Sequence, residues 1–113
     1  MEFSHEKLDV YQIFIEFLQW TARNVEEIKR GNASLIDQLK RAALSIPFNI
    51  AEAVGKPSSA DRSRFFAIAR GSAFECAAIL DACRTFKVVD EQEVIVGKKL
   101  LVRVVSMLSK LCR

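Results

Sequence analysis

Apolar residues recur at steps of three and four along nearly the whole chain, the period of helices that bury one side. In the first segment Leu8, Tyr11, Ile15, Leu18, Ala22 and Val25 form such a seam, which predicts a helix from about Ser4 to Lys29. Phe14, Phe17 and Ile28 widen its apolar stripe, while Glu2, Glu6, Asp9, Glu16, Arg23 and Glu27 gather toward a wet side. Ser4 suits the N-cap, with Glu6 near the positive helix end, and Gly31 is a natural stop. A second helix is predicted over about Leu35 to Val54, with Leu35, Leu39, Ala42, Ile46 and Ile50 facing the core. Ser34 with Asp37 forms its weak capping box. Pro47 falls inside that segment, yet the apolar spacing continues through it, so the expectation is one helix kinked there.

The third helix is predicted from about Ala60 to Phe86, capped by Ser58 or Ser59, with Phe65, Ala69, Ser72, Cys76, Ile79 and Cys83 on one stripe. Gly71, Ser72 and Ala73 are small, which points to close approach of a neighbouring helix at that level. The fourth is predicted from about Glu91 to Cys112, opened by an Asp90–Glu93 capping box. Val94, Leu101, Val104, Leu108 and Leu111 make one seam, and Val96, Leu100 and Met107 a second. Only the run 86–89 competes as a strand. Four long helices with short links predict an all-α fold, an antiparallel up-down four-helix bundle filling residues 1–113 as one domain. Every helix of such a bundle is peripheral, so the surplus apolar surface on segments one and four predicts self-association.

Composition agrees with a globular core: 50% of the 113 residues are hydrophobic and 27% charged. No apolar run approaches the roughly 18 residues of a membrane span, and no export signal is visible, so the expected location is the cytoplasm with three reduced cysteines. Net charge is +3, unevenly spread. Residues 1–31 hold six acids against four bases, whereas 59–88 and 89–113 each hold five bases against three acids. Such a balance permits a polyanionic partner without demanding one.

Catalytic chemistry finds no foothold. His5 is the single histidine and lies near the N-terminus. Cys76 and Cys83 are seven apart and Cys112 is distant, unlike paired zinc ligands, and read as small core hydrophobes. There is no Glu-x-x-His pair, phosphate-cradling glycine loop or nucleophile elbow. The expectation is a protein without catalysis, metal or cofactor.

The informative polar positions lie between Gln38 and Glu75. Ser45, Asn49, Glu52 and Lys56 line one side of the second helix, with Arg41 upstream, and the third offers Arg70, Ser72 and Glu75. In a hairpin joined near residues 55–59, Glu52 falls at the level of Arg70, and Asn49 at that of Ser72 and Glu75. One reading is a structural polar network that includes a Glu52–Arg70 contact; the other is a ligand or RNA pocket.

The run Leu39-Lys40-Arg41-Ala42-Ala43-Leu44-Ser45-Ile46-Pro47-Phe48-Asn49-Ile50-Ala51-Glu52, followed by Phe66-Ala67-Ile68-Ala69-Arg70-Gly71-Ser72-Ala73-Phe74-Glu75, resembles the bacterial four-helix-bundle proteins also called 23S rRNA intervening-sequence or S23-like proteins. Lys7-Leu8-Asp9-Val10-Tyr11 resembles the start of their first helix, and the similarity covers about residues 7–84. Ala53 departs from the glycine that the family usually carries after the glutamate, and Gly55 stands two residues later as the helix stop. The resemblance implies a four-helix bundle that assembles as a ring-like homopentamer. A related accessory protein of diversity-generating retroelements binds nucleic acid and a reverse transcriptase, so the resemblance also implies RNA or DNA and a reverse transcriptase or other protein as partners.

Two functions remain open on the residues. The first is a nucleic-acid-binding, RNA-directed accessory protein. Lys99, Arg103, Lys110 and Arg113 fall near one face of the fourth segment with Lys98 at its margin, and Lys56, Arg62 and Arg64 cluster at the start of the third. Phosphate contact needs only clustered cations. The second is a protein scaffold or adaptor ring with no nucleic-acid role, for which Phe48 and Phe74 stand at otherwise polar positions.

Overall fold

The computed structural model describes residues 3–28 and 31–112. Four helices account for most of them: α1 (Asp9–Glu27), α2 (Ala33–Gly55), α3 (Ser59–Thr85) and α4 (Glu91–Leu111). There is no strand among the described residues, and residues 86–89 form a turn with Lys87 at φ +58°. The helices touch in the cyclic order α1, α2, α3, α4, with α2 and α3 sharing the most extensive contact and α1 and α2 the least. Asp81 meets Lys98 and Arg70 meets Ser109, so the numbering climbs on α3 as it falls on α4.

The first helix begins later than its periodicity predicts. Ser4–Lys7 form a single 3-10 turn, and Leu8 is extended at φ −78°, ψ 135°, so Ser4 does not cap α1. The Phe3 N–H donates to the Glu6 carboxylate (2.9 Å), and the Gln12 amide donates to the Glu6 carbonyl (2.9 Å), which fixes the break. This turn packs on α2. Glu2 and the expected helix end at Lys29 lie outside the described residues.

The buried side of α1 is also rotated from the expected seam. Val10, Ile13, Phe14, Phe17 and Trp20 hold its centre, while Leu8, Tyr11, Leu18 and Val25 pack along its margins and Ala22 is exposed. The apolar arc is broader than one seam, and the aromatic side chains with the most area to hide take the middle. Thr21 and Asn24 are buried with them. Their side chains donate to the Phe17 and Trp20 carbonyls, both at 2.9 Å, so neither polar group is left unpaired.

α2 starts two residues before Leu35, at Ala33, with Asn32 in the cap position; Ser34 and Asp37 lie exposed inside its first turns. Asparagine is itself a favoured cap residue, and competition among Asn32, Ser34 and Asp37 is not resolved by residue type alone. The helix continues as one element through the buried Pro47. Ser58 caps α3, its Oγ accepting the Asp61 N–H at 3.1 Å. Asp90 precedes α4, but its side chain makes no capping bond, and the Glu93 carboxylate pairs instead with Arg23 (3.5 Å).

The core joins all four helices. Leu39, Ala42, Ile46 and Ile50 of α2, Ala69, Cys76, Leu80 and Cys83 of α3, and Val94, Leu101, Val104 and Leu108 of α4 meet the α1 aromatics. At its centre the Trp20 indole N–H donates to the Glu93 carbonyl at 3.0 Å. That carbonyl is also the i−4 acceptor for the Gly97 N–H. The Trp20 ring lies on Gly97 so closely that an added Cβ would stand 2.8 Å from its Cζ2 and 3.0 Å from Leu80 Cδ1. Phe17 stacks on Trp20, ring centroids 5.5 Å apart. Gly71, expected to mark the close approach, instead has open space around it.

The apolar surplus on α1 is absorbed by this core. The large apolar side chains left exposed along α2, α3 and α4 are Leu44, Phe48, Ile68, Phe74, Ile95, Val96 and Val102.

Four outcomes follow from this packing. Gly97→Ala should destabilise the fold by about 1–3 kcal/mol in urea unfolding, because the new methyl overpacks against an indole held by a hydrogen bond. Gly71→Ala should stabilise it by up to about 1 kcal/mol, since only helix propensity changes there. Burial pushes the Cys76 thiol up to about 12, with the Glu75 charge adding to it, and burial also raises Cys83. Alkylation of the native protein at pH 8 should therefore modify the half-buried Cys112 alone, with Cys76 and Cys83 reacting only on unfolding; equal rates would contradict this core. The Lys98 hydrogen bond, then the charges of Lys98 and Arg84, hold the Asp81 carboxyl below its usual range. Its stabilisation is complete above the ordinary carboxylate range and is lost as pH falls through the folded-state value. Asp81→Asn should lower stability at neutral pH and make the acid limb of a stability–pH curve shallower.

Candidate nucleic-acid interface

The basic side of α4 follows from its core line. With Val94, Leu101, Val104 and Leu108 inward, successive residues step about 100° around the axis. Lys99, Arg103 and Lys110 then fall within a wedge about 40° wide, turned away from the core. All three are exposed, and none forms an ion pair among the described residues. From Lys99 to Lys110 the wedge runs about 16 Å along the helix. Lys110, in the last turn, also sits favourably near the negative helix end. Arg113 lies outside the described residues.

The other candidate cations, Lys56, Arg62, Arg64 and Lys98, are engaged. Lys98 binds Asp81 at 2.6 Å, and Arg84 binds the same carboxylate oxygen at 3.2 Å. At the turn between α2 and α3, Arg62 donates to the Lys56 and Pro57 carbonyls (3.0 and 2.8 Å) and so closes the loop. Lys56 pairs with Glu52 at 3.4 Å and Arg64 with Asp61 at 3.7 Å. Both also lie over the Phe65 ring, Lys56 Nζ at 5.1 Å and Arg64 Cζ at 4.5 Å from its centroid. Phe65 is thus the base of this cluster, a role the sequence signals only by its place beside Arg64.

The polar network contracts to three residues. Ser45 Oγ and Ser72 Oγ lie 2.7 Å apart across α2 and α3, and the Asn49 amide donates to the Ser45 carbonyl (2.7 Å) and Oγ (3.0 Å). Glu52 and Arg70 do not pair: Glu52 goes to Lys56, and Arg70 reaches Ser109 on α4 at 3.4 Å. Arg70 and Ser72 are two residues apart, hence about 200° around α3, so they serve different neighbours. Arg41 and Glu75 are exposed. The network ties α2 to α3 without opening a pocket, and the surface clefts lie elsewhere: one of about 400 Å³ at the turn beside Arg84, Lys87 and Glu91, one of about 350 Å³ between α1 and α4 beside Leu8 and Lys110, and two smaller ones. One of the smaller two, of about 320 Å³, lies between α1 and α2 beside Ala22, Ala43 and Leu44. The other, of about 290 Å³, lies between α3 and α4 beside Phe74 and Val102.

His5 packs against the Phe3 and Tyr11 rings, with centroids at 5.9 and 4.9 Å. Among the described residues, no three His, Cys, Asp or Glu side chains gather as metal ligands, and no helix is long and apolar enough to cross a membrane.

The family model of the 23S rRNA-intervening sequence protein matches residues 6–110, extending through the fourth helix where the motif resemblance fades. No curated protein matches the chain. On this match, which takes in nearly the whole chain, the protein belongs to the 23S rRNA-intervening sequence protein family.

Proposed function

We propose that this chain is the subunit of a cytoplasmic, non-catalytic homo-oligomer that holds RNA against the outer face of α4. The observation that carries this reading is the wedge of Lys99, Arg103 and Lys110, exposed and without acidic partners among the described residues. Membership in a family named for sequences that intervene in 23S rRNA supports RNA as the polyanion. Lysine and arginine on a helix face contact phosphates and read no bases, so binding is weakly sequence-dependent. Repetition of the patch around an oligomer multiplies a modest single-site affinity through effective concentration; a ring of five, as the family resemblance implies, would present five such patches. The cluster of Lys56, Arg62 and Arg64 adds charge but is already committed to Glu52, Asp61, two carbonyls and Phe65.

A second reading, a scaffold that binds a reverse transcriptase or another protein, draws on Phe48 and Phe74, which are 63% and 59% exposed. Salt titration separates the two. The wild-type protein should retard unrelated RNAs in a gel at low salt, with log affinity falling steeply against log salt. Charge reversal of Lys99, Arg103 and Lys110 to Glu should leave helicity and assembly unchanged. It should weaken all those RNAs by similar factors and flatten the slope by about 2–3, at roughly 0.7–0.9 per lost phosphate contact. Unchanged affinity in the triple variant would move the interface elsewhere, and absence of binding by the wild type at low salt would favour the scaffold.

A further inference from the structure

Arg70 is half-buried in the seam between α3 and α4, and among the described residues no carboxylate answers its charge. Its partner there is the Ser109 hydroxyl, at 3.4 Å. The surrounding sequence explains this: no acidic residue occurs between Asp61 and Glu75 on α3, and none after Glu93. Glu75 is turned about 140° around α3 from Arg70, and Asp81 is held by Lys98 and Arg84. A guanidinium partly withdrawn from water is ordinarily paired with an anion, and this one has donors to spare beyond Ser109. Its position on α4 connects it to the basic wedge. Ser109 stands about 60° around the axis from the exposed Ser106, and Ser106 about 20–60° from Lys99, Arg103 and Lys110. Arg70, Ser109 and Ser106 thus form a polar strip, free of acids, that runs from the seam onto the wedge.

Resting on the RNA reading above, we infer that Arg70 binds a backbone phosphate of the same RNA, its guanidinium steadied by Ser109 and the Ser106 hydroxyl donating beside it. The planar fork of donors matches two phosphate oxygens at once, which an ammonium cannot do. Continuity with the wedge makes the anion part of a chain of phosphates rather than a free one: Ser109 lies about 9 Å along α4 from Arg103, within reach of neighbouring phosphates on one strand. The two kinds of cation then have different duties. Lys99, Arg103 and Lys110 stand on exposed arms and act as adaptable charges. Arg70 is rooted in a packed seam and holds its fork in one place, so it sets where along α4 the backbone sits.

Arg70→Lys, Arg70→Gln and Arg103→Lys in the full chain test this, with the anisotropy of a labelled RNA followed over a salt series. Arg70→Lys keeps the charge and loses the fork, so affinity should fall about 5–30-fold with the salt slope unchanged. Arg103→Lys, on an exposed arm, should change affinity by less than about twofold. Arg70→Gln should lower the slope by roughly 0.7–0.9, the share of one phosphate contact. Circular dichroism and the particle mass from light scattering should match the wild type; if Arg70→Gln does not fold, Arg70→Lys decides. Wild-type affinity in Arg70→Lys overturns the inference, as does a loss in Arg70→Gln with an unchanged slope, which marks a structural role. A loss of affinity that tracks a smaller particle mass assigns Arg70 to assembly and overturns it as well. Inorganic phosphate at constant ionic strength should not displace the RNA; displacement that needs Arg70 would mark a site for the free anion and overturn it too. A wild type that binds no RNA removes the RNA reading itself, whereas a triple wedge variant that loses binding while the Arg70 variants keep it removes this inference alone.

Discussion

The bundle depends on one contact between its first and fourth helices: the Trp20 indole hydrogen-bonded to the Glu93 carbonyl and packed tightly against Gly97. Loops tie α1 to α2, α2 to α3 and α3 to α4, so those pairs are kept near one another by the chain itself. Contact between α1 and α4 has no such help; Trp20 and Glu93 are 73 residues apart in sequence. α1 also touches α2 less than any other adjacent pair touches. The helix that begins the chain is therefore positioned chiefly by the one that ends it. A glycine is required at the crossing, because any Cβ there would occupy space the indole already fills. Indole, carbonyl and glycine together fix both the height and the rotation of α4 against α1, and Leu80 from α3 closes the same spot.

Period and residue type carried most of the architecture. The α2 core positions Leu39, Ala42, Ile46 and Ile50 stand where three-and-four spacing predicts, and so does the Ser58 cap of α3. The failures have a common physical origin: spacing gives angular differences along one helix but not what lies across from it. On α1 the arc of apolar residues is so wide that several seams fit it, and the aromatic one won. Thr21 and Asn24 look like surface residues until their side chains are seen bonded back to carbonyls one turn earlier. Gly71 and Gly97 are both mid-helix glycines of similar local context, and only the neighbouring helix distinguishes an open position from a filled one.

The candidate site divides along the same line. Hairpin arithmetic placed Glu52 and Arg70 at one level of the bundle, but about 200° of helix rotation between Ser72 and Arg70 turns the arginine toward α4. Ser72, with the correct azimuth, meets Ser45. For the cations, spacing sufficed to put Lys99, Arg103 and Lys110 on one face, because a shared face is a property of a single helix. It could not show that Lys98, Lys56, Arg62 and Arg64 are spent on partners, since Asp81, Glu52, Asp61 and the Phe65 ring enter through the fold.

The packing at Gly97 and the charge on α4 are two consequences of one rotation. Lys99, Arg103 and Lys110 lie about 120–160° around the helix from Gly97. Seating Gly97 against Trp20 therefore turns all three outward, where water solvates them and a polyanion can reach them. Rotating α4 by a single residue would drive a Cβ into the indole and carry the basic wedge about 100° around the bundle. Sequence-blind recognition of phosphate asks for no cavity, only for cations held at fixed spacing on a rigid support. The same tight crossing that sets that spacing leaves the outer residues of α4 free of packing constraints, so the core specifies where the charges stand without specifying what they bind.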